Sequence, residues 1–526
     1  MWIPTHSQPT SGFARVGRVV TLDSGIQPAD AVWWEAGRIR AVGRARDLAA
    51  LVSPQTPSFD LPHAWITPGL VDGHTHFSAW ALNRRQVQLA GAPDRETIIE
   101  RVARATPVQG WIIGQGWDAN SWRDPPERRA LDRVQPGPVF LHSLDLHAAW
   151  LNTAALAAAG IDRDTPDPFG GRIVRDAAGE PTGLLQERAV ELAIPALPVP
   201  PRDLLRAALL EAQAEAHRLG LTGIHNVESD EVYSALRALD ADGLLRLRVL
   251  FHPPVASLHR LIAEQARTGE GSAWLTMGGV KLFLDGSLGT QTAWMLDRYE
   301  GSADRGLQIS TLEQAREATA LAAAAGIASA VHAIGDAAVR RALDLLAELP
   351  RASLPHRIEH LQCVHRGDLG RAAAAGVVAS MQPAHLLTDI PLVDRHWGAR
   401  GSGAYAFRSL AQRGTVLAFG SDAPVASLDP REGVYAAMAR RGPDGSPSAG
   451  WYAGERLTFV EALSGYTRGN AVAGGVAARR GAVTPGFDAD LVAWDVDPEL
   501  EAGAVDGFRN ARVRLTVVGG EVVMQS

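Results

Sequence analysis

The chain has 526 residues, 46% hydrophobic and 21% charged, the balance of an ordinary soluble globular protein and not of a disordered or fibrous one. Its formal charge of −7 argues against a nucleic-acid footprint or a polybasic membrane patch. No run of about 18 apolar residues and no leader-like start occur, so the expectation is a soluble cytoplasmic protein of roughly two to four structural units that acts on a small molecule.

From the N-terminus, short alternating segments at 18–22, 31–34 and 38–42, separated by Gly and Asp turns, read as antiparallel strands. The C-terminus reads the same way at 490–494 and 513–518, with a Gly519-Gly520 turn before 521–523. Each end alone has too little core, so residues 1–66 and 477–526 are expected to combine in one small β-sandwich. Between them, 67–476 alternates helical stretches with eight apolar strands at 69–77, 222–227, 245–252, 279–284, 329–333, 357–361, 377–382 and 416–420. The stretches 202–219 and 312–325 stop at Gly220 and Gly326, the expected left-handed helix ends, and Thr458-x-x-Glu461 fits a capping box. Eight βα repeats predict an α/β fold of the (β/α)8 TIM-barrel type, with a doubly wound open sheet as the competing arrangement. In such a barrel the functional groups stand at the C-terminal strand ends.

The interval of about 80–200 is too long for one helix. It holds Trp80, Trp111, Trp117, Trp122 and Trp150 and a hairpin-like segment at 170–176, and it reads as a subdomain inserted after strand 1 over the barrel mouth. The Pro/Gly/Ser-rich 442–450 reads as an exposed loop.

Several strand ends carry ligand-type side chains. In Asp72-Gly73-His74-Thr75-His76 the two histidines lie at i and i+2, so a strand projects both to one side, where they can grip one divalent ion. His332, His360 and Asp422 end later strands. Lys281 is the single lysine among 51 basic residues, and it lies inside the apolar strand Val280-Lys281-Leu282-Phe283. Arginine replaces lysine wherever solvated charge suffices but not where an amine must lose its proton, and a buried ammonium is costly. Cys363, the single cysteine, excludes a disulfide framework or a Cys-rich zinc module and reads as an inert core residue. Ser287 in Asp285-Gly286-Ser287-Leu288-Gly289 only superficially matches a nucleophile elbow, which requires Gly at the position of Asp285; a flexible loop at the mouth is the better reading. His385 could hydrogen-bond a substrate, His147 and Trp117 could line its pocket, and His225 and His252 could support the site or simply pack.

The order His-x-His, strand-embedded Lys, His, His, Asp resembles the binuclear amidohydrolase superfamily of metal-dependent hydrolases, built on a (β/α)8 barrel with a terminal β-sandwich. The segments Pro68–His76, Lys281–Gly289, His332–Asp336, Arg357–His360 and Gly420–Pro424 are similar to the branch containing N-substituted formamide deformylase (amidohydrolase family 3). The resemblance implies two divalent metal ions. His74, His76 and Asp422 would hold one and His332 and His360 the other, with Lys281 bridging both as its CO2 adduct, a carbamate. Zinc suits such an N/O set, and manganese, iron or cobalt would also fit. The implied reaction is hydrolysis of a C–N bond (amide, N-formyl or related) by metal-activated hydroxide, with Lys281 and Asp422 catalytic, Asp422 as general base, and His385, Asp285, Trp117 and His147 as candidate substrate contacts. A decarboxylase or isomerase on the same barrel, or a scaffold without activity, are the alternatives, and a homodimer is a candidate assembly.

Overall fold

The computed structural model describes residues 10–496 and 505–526. Both ends of the chain enter one seven-stranded sheet, whose order is Glu521–Gln525, Arg512–Val518, Leu491–Asp495, Ser58–Pro68, Gly12–Val19, Ala31–Glu35 and Arg38–Gly43. The ends meet where Ser58–Pro68 runs parallel to Gly12–Val19 and antiparallel to Leu491–Asp495. Ala14, Val16 and Val19 alternate inward with exposed Arg15 and Arg18 and join Trp34, Ile66, Leu491 and Val517 in a common core. The expected joining of the termini is thus seen, with hydrogen bonds linking all seven strands in one continuous sheet. The first strand lies at Gly12–Val19, earlier than 18–22. The long Ser58–Pro68 strand escaped the sequence reading because two prolines interrupt its pattern.

The middle of the chain is α/β, with nine short strands in two parallel sheets. One sheet has the order Leu275–Met277, Arg248–His252, Leu221–Val227, Leu70–Thr75; the other runs Val280–Phe283, Ser329–Ala333, Arg357–His360, Val378–Met381, Leu417–Phe419. The eight expected strands are all present, and the ninth arises because Gly278-Gly279 splits one segment, whose first half pairs in one sheet and second half in the other. At the opposite seam Asn470 Nδ2 donates to Val71 O (2.6 Å) and Phe419 O (2.8 Å), tying the edge strand of each sheet together. The helix Arg202–Arg218 packs Ala208, Leu209, Ala212 and Ala216 inward and yields at Gly220 (φ +80°), as its sequence predicts. Thr458 and Glu461 form the predicted capping box.

The inserted region forms its own six-stranded sheet, in the order Gly171–Arg175, Pro181–Glu187, Ala148–Leu151, Val139–Ser143, Ile112–Trp117, Val87–Gln88. Both faces are buried, one under Trp117, Leu141 and Trp150, the other under Phe140, Leu151 and Leu185. The segment 442–450 is largely exposed, and no helix among the described residues is long and apolar enough to cross a membrane.

Candidate metal centre

The parallel strands all end on one side, and the ligand-type residues end with them. The ligand atoms of His74, His76 and Asp422 lie within 4.8 Å of one another. Asp422 Oδ1 is 3.4 Å from His74 Nε2 and 3.2 Å from His76 Nε2. The rings of His74 and His360 are 5.1 Å apart and those of His332 and His360 4.4 Å, so all four imidazoles form one chain of contacts. Lys281 is buried, with Nζ 4.5 Å from the centre of the Phe283 ring, which itself packs 4.9 Å from His332. The Lys281 amine has no hydrogen bond or ion pair among the described residues.

Close backbone approach makes this convergence possible. Gly73 stands where a Cβ would come within 2.3 Å of Asn470 Oδ1 and 2.7 Å of Phe419 O, so only glycine lets the His-x-His strand approach the last strand. Asp72 fixes the same seam by accepting from His74 N and Ser421 N, both at 3.0 Å. Strand alternation would send Glu359 and His360 to opposite sides, but His360 adopts φ +70°, and Asp422 likewise adopts φ +60°. Left-handed conformations at such residues are strained and concentrate at functional sites.

Each histidine commits one nitrogen to the protein. Nδ1 of His74 donates to Glu359 Oε2 (2.5 Å), Nδ1 of His76 to Val227 O (2.7 Å), Nδ1 of His360 to Gln382 Oε1 (2.8 Å), and Nε2 of His332 to Gly286 O (3.2 Å). That fixes tautomer and ring orientation as in metal-ligating histidines. The remaining nitrogens of His74 and His332 are buried without any hydrogen-bond partner. Buried polar atoms are rarely left so, and an N/O donor set with orphaned imidazole nitrogens fits divalent ions.

The electrostatics agree. Burial, reinforced by Lys281, lowers His74 to about 4, and burial holds His332 and His360 well below their usual value, so the imidazoles are in the neutral form a cation requires. Burial lowers the Lys281 ammonium to about 8. Burial opposes ionisation of Asp422 and Glu359, yet His74 next to the first and Arg357 next to the second outweigh it and hold both carboxyls well below the usual range.

The cluster opens on a cavity of about 750 Å3 whose walls include His360, His385, Asp422, His147 and Trp117. His385 points Nε2 at Ser421 O (3.2 Å) and lies 3.9 Å from Asp422. His147, from the inserted sheet, donates to Glu187 Oε2 (2.7 Å) and packs its ring 5.4 Å from His332; burial disfavours its charge, but Glu187 raises it to about 9. Trp117 reaches the cavity wall while its Nε1 donates to Leu141 O, so it serves mainly the core of the inserted sheet. Asp285 departs from expectation. It is fully buried, does not line the cavity, and accepts from the backbone N–H groups of Trp294 (2.8 Å), Ile334 (3.0 Å) and Gly335 (2.8 Å). The adjoining loop, expected to be free, is clamped: Ser287 donates to Asp145 Oδ2 (2.6 Å), and Glu187 accepts from Thr290 (3.1 Å) and Thr292.

Sequence reasoning missed the supports beneath the cluster. Arg357 pairs with Glu359 (2.5 Å) and donates to Gly73 O (2.6 Å), Ser380 Oγ (2.5 Å) and His225 Nδ1 (2.9 Å), with His252 Nε2 at 3.5 Å, which places both of those histidines in the support. The signal was present: an Arg and a Glu at i, i+2 within an apolar strand must satisfy each other or something beside them. Cys363 is buried, as expected for a core residue.

The amidohydrolase family model matches residues 59–524, nearly the whole chain. The putative amidohydrolase YtcJ of Bacillus subtilis is 32% identical over 97% of this chain and 98% of its own length. The N-substituted formamide deformylase of Arthrobacter pascens is 29% identical over 91% of this chain and 92% of its own. Among solved structures, an uncharacterized metal-dependent hydrolase from Pyrococcus horikoshii superposes with a TM-score of 0.77 and 27% identity, over 93% of this chain and 98% of the other. The chain belongs to the amidohydrolase family. It is a hydrolase of the metal-dependent kind.

Proposed function

We propose that this protein hydrolyses a C–N bond of a small amide or N-formyl compound, and that His74, His76, Asp422, His332, His360 and Lys281 together hold two divalent ions, zinc being the natural choice for the donor set. The observation that carries this reading is the convergence of His74, His76 and Asp422 within 4.8 Å, with two orphaned imidazole nitrogens, beside the cavity that Asp422 and His360 line. Ions held there would supply Lewis acidity, making water acidic near neutral pH and polarising the substrate carbonyl.

In this reading the two parallel sheets act as one closed eight-stranded barrel spanning 67–476, with the inserted subdomain of about 80–200 over its mouth and 1–66 with 477–526 as the accessory unit. Lys281, in its carbamate form, would be a ligand to the ions. Carboxylation by CO2 joins the neutral amine nitrogen to carbon and releases one proton, and an amine lowered to about 8 offers that neutral form near physiological pH. Asp422 would take the proton of the attacking water and hand it to the leaving nitrogen, and it lines the cavity beside His385. His385 and His147 orient the substrate from two walls. Glu359, through His74, and Arg357, through Glu359, are positioning residues.

Elemental analysis of the purified protein together with a panel of N-formyl, N-acyl and carboxylated substrates tests the proposal. About two equivalents of divalent metal and release of amine from the amide members are expected. Metal-free protein, or turnover confined to decarboxylation, would overturn it.

A further inference from the structure

One carboxylate in the cavity is held firmly and left half-used. Asp389 sits in the first turn of the helix Leu386–His396, which follows the strand Val378–Met381, and lines the same cavity as His360, His385 and Asp422. Its Oδ2 accepts from Gln362 Nε2 (2.7 Å) and from Tyr405 Oη (2.5 Å). Both donors are buried. Oδ1 accepts no hydrogen bond among the described residues. The side chain is therefore fixed by one oxygen and presents the other.

No cationic side chain in the wall hydrogen-bonds or ion-pairs with it among the described residues, although His385 nearby draws its carboxyl down in part. Arg509 is spent on Glu432 (3.0 Å), and Arg395, exposed at the rim, donates Nη1 to Asn120 O (3.1 Å). His385, one turn earlier, aims Nε2 at Ser421 O (3.2 Å). Asp145, from the inserted sheet, adds negative charge to the same space, its own partners being the hydroxyls of Ser143 and Ser287 and the N–H of His147. Burial pushes the Asp389 carboxyl above its usual range, and neither His385 nor the two neutral donors offset that desolvation. A cationic nitrogen supplied by the ligand would complete the site with a charge-assisted hydrogen bond.

We propose that Asp389 is a specificity residue: its free Oδ1 pairs with a protonated amine, or a comparable cationic nitrogen, carried by the substrate at a distance from the scissile C–N bond. The proposal rests on the hydrolase reading above and names the class of amide that the cavity prefers.

The test uses two amides of matched length, N-formyl-1,4-diaminobutane and N-formylpentylamine, in which an ammonium and a methyl group exchange places. The metal-loaded wild type should favour the ammonium compound in kcat/KM. Asp389→Asn should lower kcat/KM for that compound by about 10–100-fold, mostly through KM, and change the pentyl compound by less than about threefold. Equal losses on both, or a wild-type preference for the pentyl compound, would overturn the assignment. Where Asp389→Asn does not fold, Asp389→Glu, which keeps the charge, should keep the ammonium preference, and its inversion would overturn the proposal equally. If neither amide is hydrolysed, the proposed reaction fails separately, and the same two compounds serve as ligands in calorimetry. Tighter binding of the ammonium compound to wild type than to Asp389→Asn upholds the role of Asp389. Equal binding, or none, overturns it.

Discussion

The central strands end in two buried charged clusters, one at each extremity, and the two are built on opposite principles. At the strand starts, Arg248 grips Asp490 with two hydrogen bonds (2.6 and 3.0 Å), Gly519 N donates to Asp490 Oδ1 (2.7 Å), and Asp488 gathers Arg38, Arg479 and Arg480 at 2.7–2.9 Å. Both carboxylates there are fully engaged by arginines, and the cluster ties the terminal sheet to the central strands. At the strand ends, four histidines, an aspartate and a lysine meet with no such closure. Imidazole nitrogens of His74 and His332 stay orphaned, Lys281 has no hydrogen bond or ion pair among the described residues and faces only the Phe283 ring, and His360 and Asp422 take left-handed φ values. Saturated charge holds a fold together, whereas charge held short of saturation waits for a ligand.

The contrast breaks most visibly at Lys281. Lys281→Arg keeps a positive charge but supplies no amine that can accept CO2. It should lower metal content to one equivalent or less and kcat/KM by at least about 10³-fold, a loss worth roughly 4 kcal/mol of transition-state stabilisation, while circular dichroism stays that of wild type. A fully active, fully loaded variant would show the lysine to be packing and nothing more.

At the other extremity the expectation inverts. Asp490→Asn leaves Arg248 buried opposite a neutral side chain, and breaking a buried pair costs about 3–5 kcal/mol. The thermal midpoint should fall, while protein that remains folded keeps kcat/KM within about threefold. Loss of turnover without loss of stability would mean that the two clusters are not as separate as their chemistry suggests.

Glu359→Gln tests the boundary between the two principles, since Glu359 is ion-paired with Arg357 yet serves His74 through a 2.5 Å hydrogen bond. Metal affinity should fall about 10–100-fold, the usual consequence of removing the acceptor behind a ligating imidazole. Competition with a chelator measures it. Added metal should restore turnover, which a purely structural lesion would not permit.

How much of this was legible in the chain follows the same divide. The ligand-type residues were readable because each closes an apolar strand where a polar side chain has no other reason to be, and because one lysine stands alone among arginines. The parallel strands and the Gly220 and Gly326 helix stops were readable from local pattern. What supports the site was not, since Glu187, Asp145 and Asp389 look like any surface acid until the inserted sheet and the later loops bring them to the cavity. Asp285 misled in the opposite sense. It lies in a segment that ends at the mouth, but three backbone N–H groups, one from its own loop and two from the loop after Ser329–Ala333, draw it inward, and only tertiary structure decides that. The single seven-stranded sheet was likewise hidden, because a parallel pairing between Gly12–Val19 and Ser58–Pro68 leaves no turn signal.

The smallest expected effect lies in acid and belongs to the terminal-sheet side. His217, on the helix Arg202–Arg218, donates Nε2–H to Arg246 O (3.0 Å), while its own carbonyl accepts from Thr516 (2.8 Å) on the C-terminal sheet. Burial lowers it to about 4. The folded value lies below the ordinary value of 6.5, so the unfolded chain binds the proton more readily. The neutral His217 therefore contributes its full stabilisation above about pH 6.5 and loses it as the pH falls toward about 4. Over that window the loss is of order 3 kcal/mol at most. His217→Gln, which retains a donor for Arg246 O, should be less stable than wild type at neutral pH but flatter in acid, so the two thermal midpoints converge between pH 6.5 and 4. This convergence should persist in excess chelator, because His217 lies apart from the histidines of the candidate centre, and a metal-dependent convergence would transfer the acid sensitivity to the orphaned imidazoles at the mouth.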